Sequence, residues 1–239
     1  MGQVAGQRLL RLVDVMDRLR AECPWDARQT HASLAPYLLE ETYEALEALE
    51  AEDLVGLREE LGDVLLQVIF HARVAAERTD GTGFTIDDVA DGIADKLVRR
   101  HPHVFSDVTV AGADEVKQNW DSIKAAERAA AGAPGSALDG VPFGQPALSL
   151  AAQLTSRAGR AGAPAELADL AGAPQLAAGQ EQDGPGGAAV SPLGAELFAL
   201  AVRASEAGLD PELELRAAAR AYRDRVRAWE GTARLSGDD

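Results

Sequence analysis

Four carboxylates with a repeated spacing are the residues of this chain best suited to chemistry. Glu41 and Glu44 are three residues apart, and Glu60 and Asp63 have the same separation. Residues three apart lie on one face of a helix, so each pair projects from its own helix as a unit. Carboxylate oxygens are the hard ligands that Mg²⁺ and Mn²⁺ prefer. The pattern therefore predicts a site for a divalent metal ion.

The segment between the two pairs determines whether they can meet. Residues 51–53 offer a short turn, and apolar side chains recur at the helical period on both sides of it, which predicts a helical hairpin. With the turn centred on its middle residue, Glu44 and Glu60 each lie about 12 Å from it along antiparallel axes. Glu41 and Asp63 each lie about 16 Å from it by the same rise. We therefore expect carboxylates from the two helices to meet at matching heights.

The charge of this segment favours a bound cation over an ordinary surface. Residues 36–63 contain ten acidic residues and one basic residue, Arg58, so local cations cannot pair the carboxylates. Like charges this close repel, and something must neutralise them. The alternative is a solvated acidic helix face, and it fits the remaining acidic residues, which include Glu47, Glu50, Glu52 and Glu59. The two matched pairs differ from these because they follow the apolar seam.

Composition limits the class of protein. The chain has 239 residues, a net charge of −16 and 5% aromatic residues, which fits a soluble helical protein. Strong acidity argues against binding nucleic acid or an anionic membrane through bulk electrostatics. Cys23 is the only cysteine, so we expect no intrachain disulfide and a cytoplasmic location. The chain has neither a basic segment leading into an apolar export signal nor eighteen consecutive apolar residues, so export and membrane spanning are not indicated.

Periodicity and capping residues predict the order of helices. The predicted helices span residues 7–22, a segment that starts near 33–36, residues 54–78, a helix capped by Thr85, and residues 114–130. Residues 131–190 are rich in Pro, Gly, Ala and Gln, and we expect a linker and low-complexity segment there. Two further helices are expected near residues 192–207 and 211–230. This gives a domain at residues 1–130 and a small helical region at residues 191–239.

Four separated motifs carry a family resemblance. They are EETYE at residues 40–44, ELGD at 60–63, KLVRRHPHVF at 96–105 and WDSIKAAER at 120–128, with CPWD and QTHASLAPYLLEE ahead of them. With these motifs in this order, the first 130 residues closely resemble the MazG family of nucleoside triphosphate pyrophosphohydrolases. The resemblance implies an all-α antiparallel bundle of four to five helices that dimerises. It also implies Mg²⁺-dependent hydrolysis of nucleoside triphosphates to monophosphate and pyrophosphate, with Mn²⁺ as the alternative ion.

The resemblance also implies roles for individual residues. The metal ligands would be Glu41, Glu44, Glu60 and Asp63. Glu40 would join a second ion or orient the attacking water. The residues expected to contact nucleotide are Lys96, Arg100, Trp120 and Lys124.

Charge arguments support a phosphate-binding role for the basic residues. A triphosphate brings about four negative charges to an already acidic site, so cations must hold the departing pyrophosphate. Lys96, Arg99 and Arg100 form the densest basic cluster near the hairpin, and the spacing of Lys96 and Arg100 aims both at one ligand. Ordinary surface cations at a helix C-terminus are the competing interpretation. Trp25 could either stack on a nucleobase or plug the end of the bundle.

Families of this type often carry two tandem copies of the domain, and the tail looks like a degenerate second copy. Leu193-Gly194 aligns with Leu61-Gly62, but Pro192 then stands where Glu60 does and Ala195 where Asp63 does. We therefore expect no metal site in the tail, and any catalysis belongs to the first copy.

Three other functions compete with the leading interpretation. One is a narrower pyrophosphohydrolase of the same superfamily, acting on dUTP or phosphoribosyl-ATP. Another is a regulatory bundle that binds nucleotide without turnover. A carboxylate-bridged di-iron protein is the third, but the Glu-x-x-His pattern of those bundles is missing. His101 and His103 flank Pro102 in an expected turn, and we expect them to be structural hydrogen-bonding groups and not metal ligands.

Overall fold

The protein is helical throughout the part of the chain that the structure describes. The computed structural model describes residues 6–130, 135–170 and 190–235. In these ranges all regular structure is helical, which confirms the predicted all-α class. The α-helices are α1 (Gln7–Glu22), α2 (His31–Glu50), α3 (Leu54–Ala75), α4 (Ile86–Arg100), α5 (Pro102–Phe105), α6 (Ala113–Ala130), α7 (Ala147–Arg160), α8 (Pro192–Glu206) and α9 (Pro211–Leu235). The chain divides into two compact units, residues 1–130 and 131–239.

The first unit is built around the α2–α3 hairpin. These two helices pack along each other, α1 and α4 both pack against α3, and α6 packs against α4. The core consists of Met16 from α1, Leu34 from α2, and Ile69 and Phe70 from α3, each at most 3% exposed. The described part of this unit, residues 6–130, contains six α-helices, one more than the four to five expected, because a single turn of helix forms at Pro102–Phe105.

Helix α2 begins earlier than the sequence analysis places it. It starts at His31, whereas we expected a start near residues 33–36. The reason is a capping box: Thr30 Oγ1 accepts from the Ser33 amide at 3.2 Å, and Ser33 Oγ accepts from the Thr30 amide at 2.9 Å. These bonds satisfy amides that the first turn leaves without a partner. Pro36 therefore lies inside the helix and not at its start.

The turn between α2 and α3 fixes how the two helices face each other. Glu52 adopts a left-handed conformation with φ 54°. Asp53 then caps α3, because its carboxylate accepts from the amides of Val55 and Gly56, both at 3.0 Å. A Cβ at Gly56 would lie 2.7 Å from the Asp53 carboxylate, so glycine is what allows this tight cap. A connection this short leaves the hairpin little freedom of register.

The far end of α3 is also shorter than expected. It ends at Ala75, whereas the prediction extended to residue 78. Arg78 instead binds within the following turn, to Asp80 and, at 2.6 Å, to Thr82. Gly83 allows the chain to turn back closely, since a Cβ there would lie 2.9 Å from the Ala75 carbonyl oxygen. Helix α4 follows with Thr85 as its N-cap, as predicted.

The second unit contains a helix that the sequence analysis does not place. We expected residues 131–190 to be linker and low-complexity sequence, but Ala147–Arg160 forms α7, which packs against α8 and α9. Tertiary contact explains the difference, because small residues let the helices approach: Ala151 of α7 is 7% exposed and Ala201 of α8 is 1% exposed. Residues 171–189 of the expected low-complexity segment lie outside the described residues. None of the described helices has an apolar stretch long enough to cross a bilayer.

Candidate metal centre

Three of the predicted carboxylates come together across the hairpin. Oxygen atoms of Glu41 on α2 and of Glu60 and Asp63 on α3 all lie within 4.8 Å of one another. Within the described residues this is the one group of three or more His, Cys, Asp or Glu side chains with such a separation. Glu41 and Glu60 are half-buried, and Asp63 is exposed. The group is therefore open to solvent on one side, as a site for an ion and its substrate must be.

The other two predicted acidic residues lie at the edge of this group. Glu44 is outside the group of three but lies close enough to Glu60 to help raise the pKa of that carboxyl. Glu40 is exposed, and its charge contributes to the environment of Glu41. The structure thus brings all five predicted carboxylates into one region, with three of them at its centre.

Negative charge dominates the electrostatics of the group, and the causes of its pKa shifts include no cation from the described residues. The pKa of Glu41 is raised, first by burial and then by the negative charges of Asp63 and Glu44. Burial also raises the pKa of Glu60, with further contributions from Glu44 and Asp63. Both shifts have the sign expected for crowded carboxylates. A divalent cation would reverse this repulsion, and the all-oxygen donor set fits Mg²⁺ or Mn²⁺.

The predicted substrate-binding arginines are held by a residue that the sequence analysis missed. Glu127 of α6 pairs with Arg99 at 2.7 Å and with Arg100 at 2.6 Å. These bonds, the one from Arg100 first, lower the pKa of Glu127 to about 2. Arg100 also lies over the ring of Trp120, 5.6 Å from its centroid. The sequence offers one weak signal for Glu127, a helical face shared with Trp120 at a spacing of seven, but this does not indicate that it pairs with the arginines.

The two predicted lysines occupy different environments. Lys96 is exposed on α4, one turn before Arg100, and in the part of the chain that the structure describes it makes no ion pair. Lys124 is half-buried on α6, one turn after Trp120. Of the three cations on α4, Lys96 is thus the one that has no ion pair with Glu127 among the described residues.

Trp25 packs at the end of the core. Its ring makes edge contacts with Tyr37, at 5.9 Å between centroids, and with Phe70, at 6.5 Å. These contacts agree with the interpretation in which Trp25 closes the end of the bundle. Trp25 is nevertheless 48% exposed, so stacking on a nucleobase stays a prediction.

The histidines form local networks. His101 bonds to the Leu97 carbonyl oxygen through Nδ1 at 2.7 Å and makes an edge contact with Trp120, which agrees with the structural role expected of it. His103 Nδ1 is buried and has no described hydrogen-bond partner. His31 and His71 form a pair that no sequence pattern indicates: their Nδ1 atoms are 2.8 Å apart and their rings are stacked.

An all-α hairpin with an open group of carboxylates defines a candidate divalent-metal protein, and comparison with known proteins defines the family. The model of the MazG nucleotide pyrophosphohydrolase domain matches residues 29–105, which contain the whole carboxylate group. An uncharacterized 26.1 kDa protein from the blaB 3′ region of Streptomyces cacaoi is 49% identical over 226 residues, covering 95% of this chain and 84% of that protein. This chain belongs to the MazG family.

Named enzymes are among its relatives. The nucleoside triphosphate pyrophosphohydrolase of Mycolicibacterium smegmatis is 49% identical over 162 residues, 68% of this chain and 49% of that protein. The enzyme of the same name from Escherichia coli is 48% identical over 155 residues, 64% of this chain and 57% of that protein. The chain therefore spans about half the length of the curated pyrophosphohydrolases that it matches.

Proposed function

We propose that this protein hydrolyses nucleoside triphosphates to nucleoside monophosphate and pyrophosphate in a metal-dependent reaction, as a house-cleaning enzyme of the nucleotide pool. The observation that carries the proposal is the meeting of Glu41, Glu60 and Asp63 within 4.8 Å. The names of the relatives support the reaction, and the crowded carboxylates support the need for a cation.

The carboxylates have separate tasks in this proposal. Glu41, Glu60 and Asp63 hold Mg²⁺, or Mn²⁺ as the alternative, and Glu44 completes the set through its contact with Glu60. When bound, the ion would polarise phosphate oxygens and lower the pKa of a coordinated water. Glu40 lies beside Glu41, and we assign it to a second ion or to orienting the water that attacks the α-phosphorus. Pyrophosphate is the leaving group.

The basic and aromatic side chains bind the substrate. Lys96 is the first contact for the phosphates because its charge is not engaged in an ion pair with described residues. Arg99 and Arg100 are held in position by Glu127, and they stabilise charge on the departing pyrophosphate. The other predicted substrate-binding residues are assigned to the nucleoside, and they are Trp120, Lys124 and Trp25.

A panel of substrates tests the proposal against its alternatives. Purified protein is incubated with each common nucleoside triphosphate, dUTP and phosphoribosyl-ATP, and phosphate is measured after adding inorganic pyrophosphatase. We expect Mg²⁺-dependent release from several nucleoside triphosphates. Release from dUTP or phosphoribosyl-ATP alone would favour the narrower enzymes, and binding without release would favour the regulatory bundle. A Glu41→Gln variant is the matched control for contaminating activity.

Homodimerisation is a further part of the proposal. Leu61, Leu65 and Val68 follow one another at helical spacing on α3 and are each at least 36% exposed. Ile93 and Leu97 add an exposed apolar pair on α4, which packs against α3. Such a stripe is the kind of surface that a second copy buries. We propose that these faces form the interface of a homodimer.

The roles of the two ends and the location of the protein are also proposed. Residues 1–130 contain every carboxylate and every basic residue assigned above, so we assign catalysis to them. Residues 131–239 form the second unit, and we assign its helices α8 and α9 to a degenerate repeat in which Pro192 and Ala195 replace ligands. The unpaired Cys23 and the nucleotide substrates suit the cytoplasm, and we propose no role in binding nucleic acid or membrane.

A further inference from the structure

Two buried polar atoms on α3 have no hydrogen-bond partner among the residues that the structure describes. They are Gln67 Oε1 and His71 Nε2. Gln67 is 6% exposed and is the one buried polar residue of the described core, in a helix that otherwise buries Ile69, Phe70 and two alanines. Buried polar groups are almost always hydrogen-bonded in proteins, because an orphaned group loses its interaction with water and gains nothing. An apolar side chain of the same length would avoid this cost, so the amide calls for an explanation.

The two residues extend the helical face that carries the metal ligands. Asp63, Gln67 and His71 are each four apart, so they lie one above another on α3. Helical side chains lean toward the N-terminus and cover the turn before their own Cα. The amide of Gln67 is thus directed toward the turn of Asp63, and the ring of His71 toward the turn of Gln67.

The His31 contact sets the direction of hydrogen bonding. His71 Nδ1 is 2.8 Å from His31 Nδ1, and one of the two must donate. If His31 donates, a neutral His71 carries its proton on Nε2, the buried atom that has no partner among the described residues. The pKa of His71 is lowered, first by burial and then by His31, which favours the neutral ring.

We propose that Gln67 is a positioning residue for Asp63, held by a chain of hydrogen bonds that starts at His31 and passes through His71. His31 Nδ1–H donates to His71 Nδ1, His71 Nε2–H donates to Gln67 Oε1, and the Gln67 amide donates to the Asp63 carboxylate. The last two bonds require rotation of the Gln67 amide. The inference rests on the proposed function, because it assigns Asp63 as a ligand. Groups that orient metal ligands in this way contribute strongly to metal affinity.

A substitution that removes only the amide separates positioning from packing. Gln67→Met keeps the length of the side chain and removes both the acceptor and the donor of the amide. We expect Mn²⁺ affinity, measured on the nucleotide-free full chain by titration calorimetry, to fall about 10- to 100-fold. Leu66→Met, at the neighbouring half-buried position, is the control and should bind Mn²⁺ normally.

A pair of variants at His71 tests the proposed series of hydrogen bonds. His71→Gln keeps a donor near the position of Nε2, whereas His71→Leu removes it. We expect the glutamine variant to retain most of the Mn²⁺ affinity and the leucine variant to show the loss seen for Gln67→Met. This pair also decides the question if Gln67→Met fails to fold.

The outcomes distinguish this inference from the proposed function. Mn²⁺ affinity in Gln67→Met equal to that of the unmodified protein overturns the positioning role, as does equal affinity in the two His71 variants. If the unmodified protein binds Mn²⁺ but releases no pyrophosphate from any nucleoside triphosphate, the proposed function fails, and the affinities still decide the role of Gln67. If the unmodified protein binds no Mn²⁺, the inference fails whatever the hydrolysis assay shows.

Discussion

Removing the charge of Glu41 should make the protein more stable without metal and less stable with it. A Glu41 oxygen lies within 4.8 Å of oxygens of both Glu60 and Asp63. The pKa of Glu41 is raised, in part by the negative charge of these neighbours. Glu41→Gln keeps the shape of the side chain and removes its contribution to the repulsion. In chelator, the variant should therefore melt at a higher temperature than the unmodified protein.

The size of the gain follows from the separation of the charges. Two unit charges 4.8 Å apart repel by about 0.9 kcal/mol in water. The dielectric constant of water gives a lower limit to the repulsion energy, and it is the appropriate value here because Asp63 is exposed. We therefore expect a gain of about 1 kcal/mol in the free energy of unfolding for the pair of Glu41 and Asp63. For a chain of this length that corresponds to a rise of about 2–4 °C in melting temperature.

Bound metal should make the unmodified protein more stable than Glu41→Gln, the reverse of the order expected in chelator. An ion at ten times its dissociation constant stabilises the protein that binds it by about 1.4 kcal/mol. The unmodified protein should gain this stability in Mg²⁺, and Glu41→Gln should gain little of it. The variant should also lose at least about 100-fold of its turnover, which is about 2.7 kcal/mol of transition-state stabilisation.

Thermal unfolding in chelator and in Mg²⁺, together with pyrophosphate release, measures all three effects. Glu52→Gln is the matched control, because it removes the same charge from the turn of the same hairpin, outside the carboxylate group. It should neither raise the melting temperature in chelator by a comparable amount nor weaken the response to Mg²⁺. A Glu41→Gln protein that melts lower than the unmodified protein in chelator, or that keeps full turnover, would refute the reasoning.

Three further predictions concern the interface, acid stability and the tail. Leu65→Glu places a charge in the exposed α3 stripe and should give a monomer by sedimentation at micromolar concentration; a monomeric unmodified protein would contradict the proposed dimer. The pKa of Glu77 lies below its ordinary 4.5, chiefly through the hydrogen bond from Arg20. Ionised Glu77 therefore stabilises the folded protein fully above pH 4.5, and this stabilisation is lost as the pH falls through the folded-state pKa. Glu77→Gln should therefore lower the free energy of unfolding by about 1 kcal/mol or less at neutral pH, with no difference in strong acid; a difference that grows as the pH falls would have the wrong sign. Truncation between residues 130 and 146 should leave turnover within about tenfold of the full chain, or about 1.4 kcal/mol, because all assigned residues precede it; a larger loss in a folded, dimeric fragment would show that the tail supplies a functional group.

Features set by neighbouring residues could be predicted from sequence. The bounds of α1 agree with the prediction because an apolar stripe and a following Cys23-Pro24 define both ends. The Thr85 cap of α4 was predicted because a threonine before an apolar period is a local signal. The wrong start of α2 and the wrong end of α3 also arise from neighbouring residues, but from side-chain hydrogen bonds that apolar periodicity does not report. Ser33 completes the cap of α2, and Arg78 binds the turn that follows α3.

Features set by distant residues could not be predicted. His31 and His71 are forty residues apart, and Glu127 is 28 residues from Arg99. No periodicity within one helix says which residue of another helix it will meet, because that depends on packing angle and rotation. The same limit applies to α7, whose small residues carry little hydrophobic signal until α8 and α9 pack against them.

The carboxylate group lies between these two cases. A short turn makes an antiparallel hairpin nearly a local structure, so counting residues from residue 52 brings Glu41 to the height of Asp63 and Glu44 to that of Glu60. Height alone, however, does not fix how far each helix rotates about its axis. In the structure, oxygens of Glu41, Glu60 and Asp63 lie within 4.8 Å of one another, and Glu44 lies outside this group of three. Glu41 is therefore the α2 carboxylate that joins both members of the α3 pair, and its substitution should cost more metal affinity than the same change at Glu44.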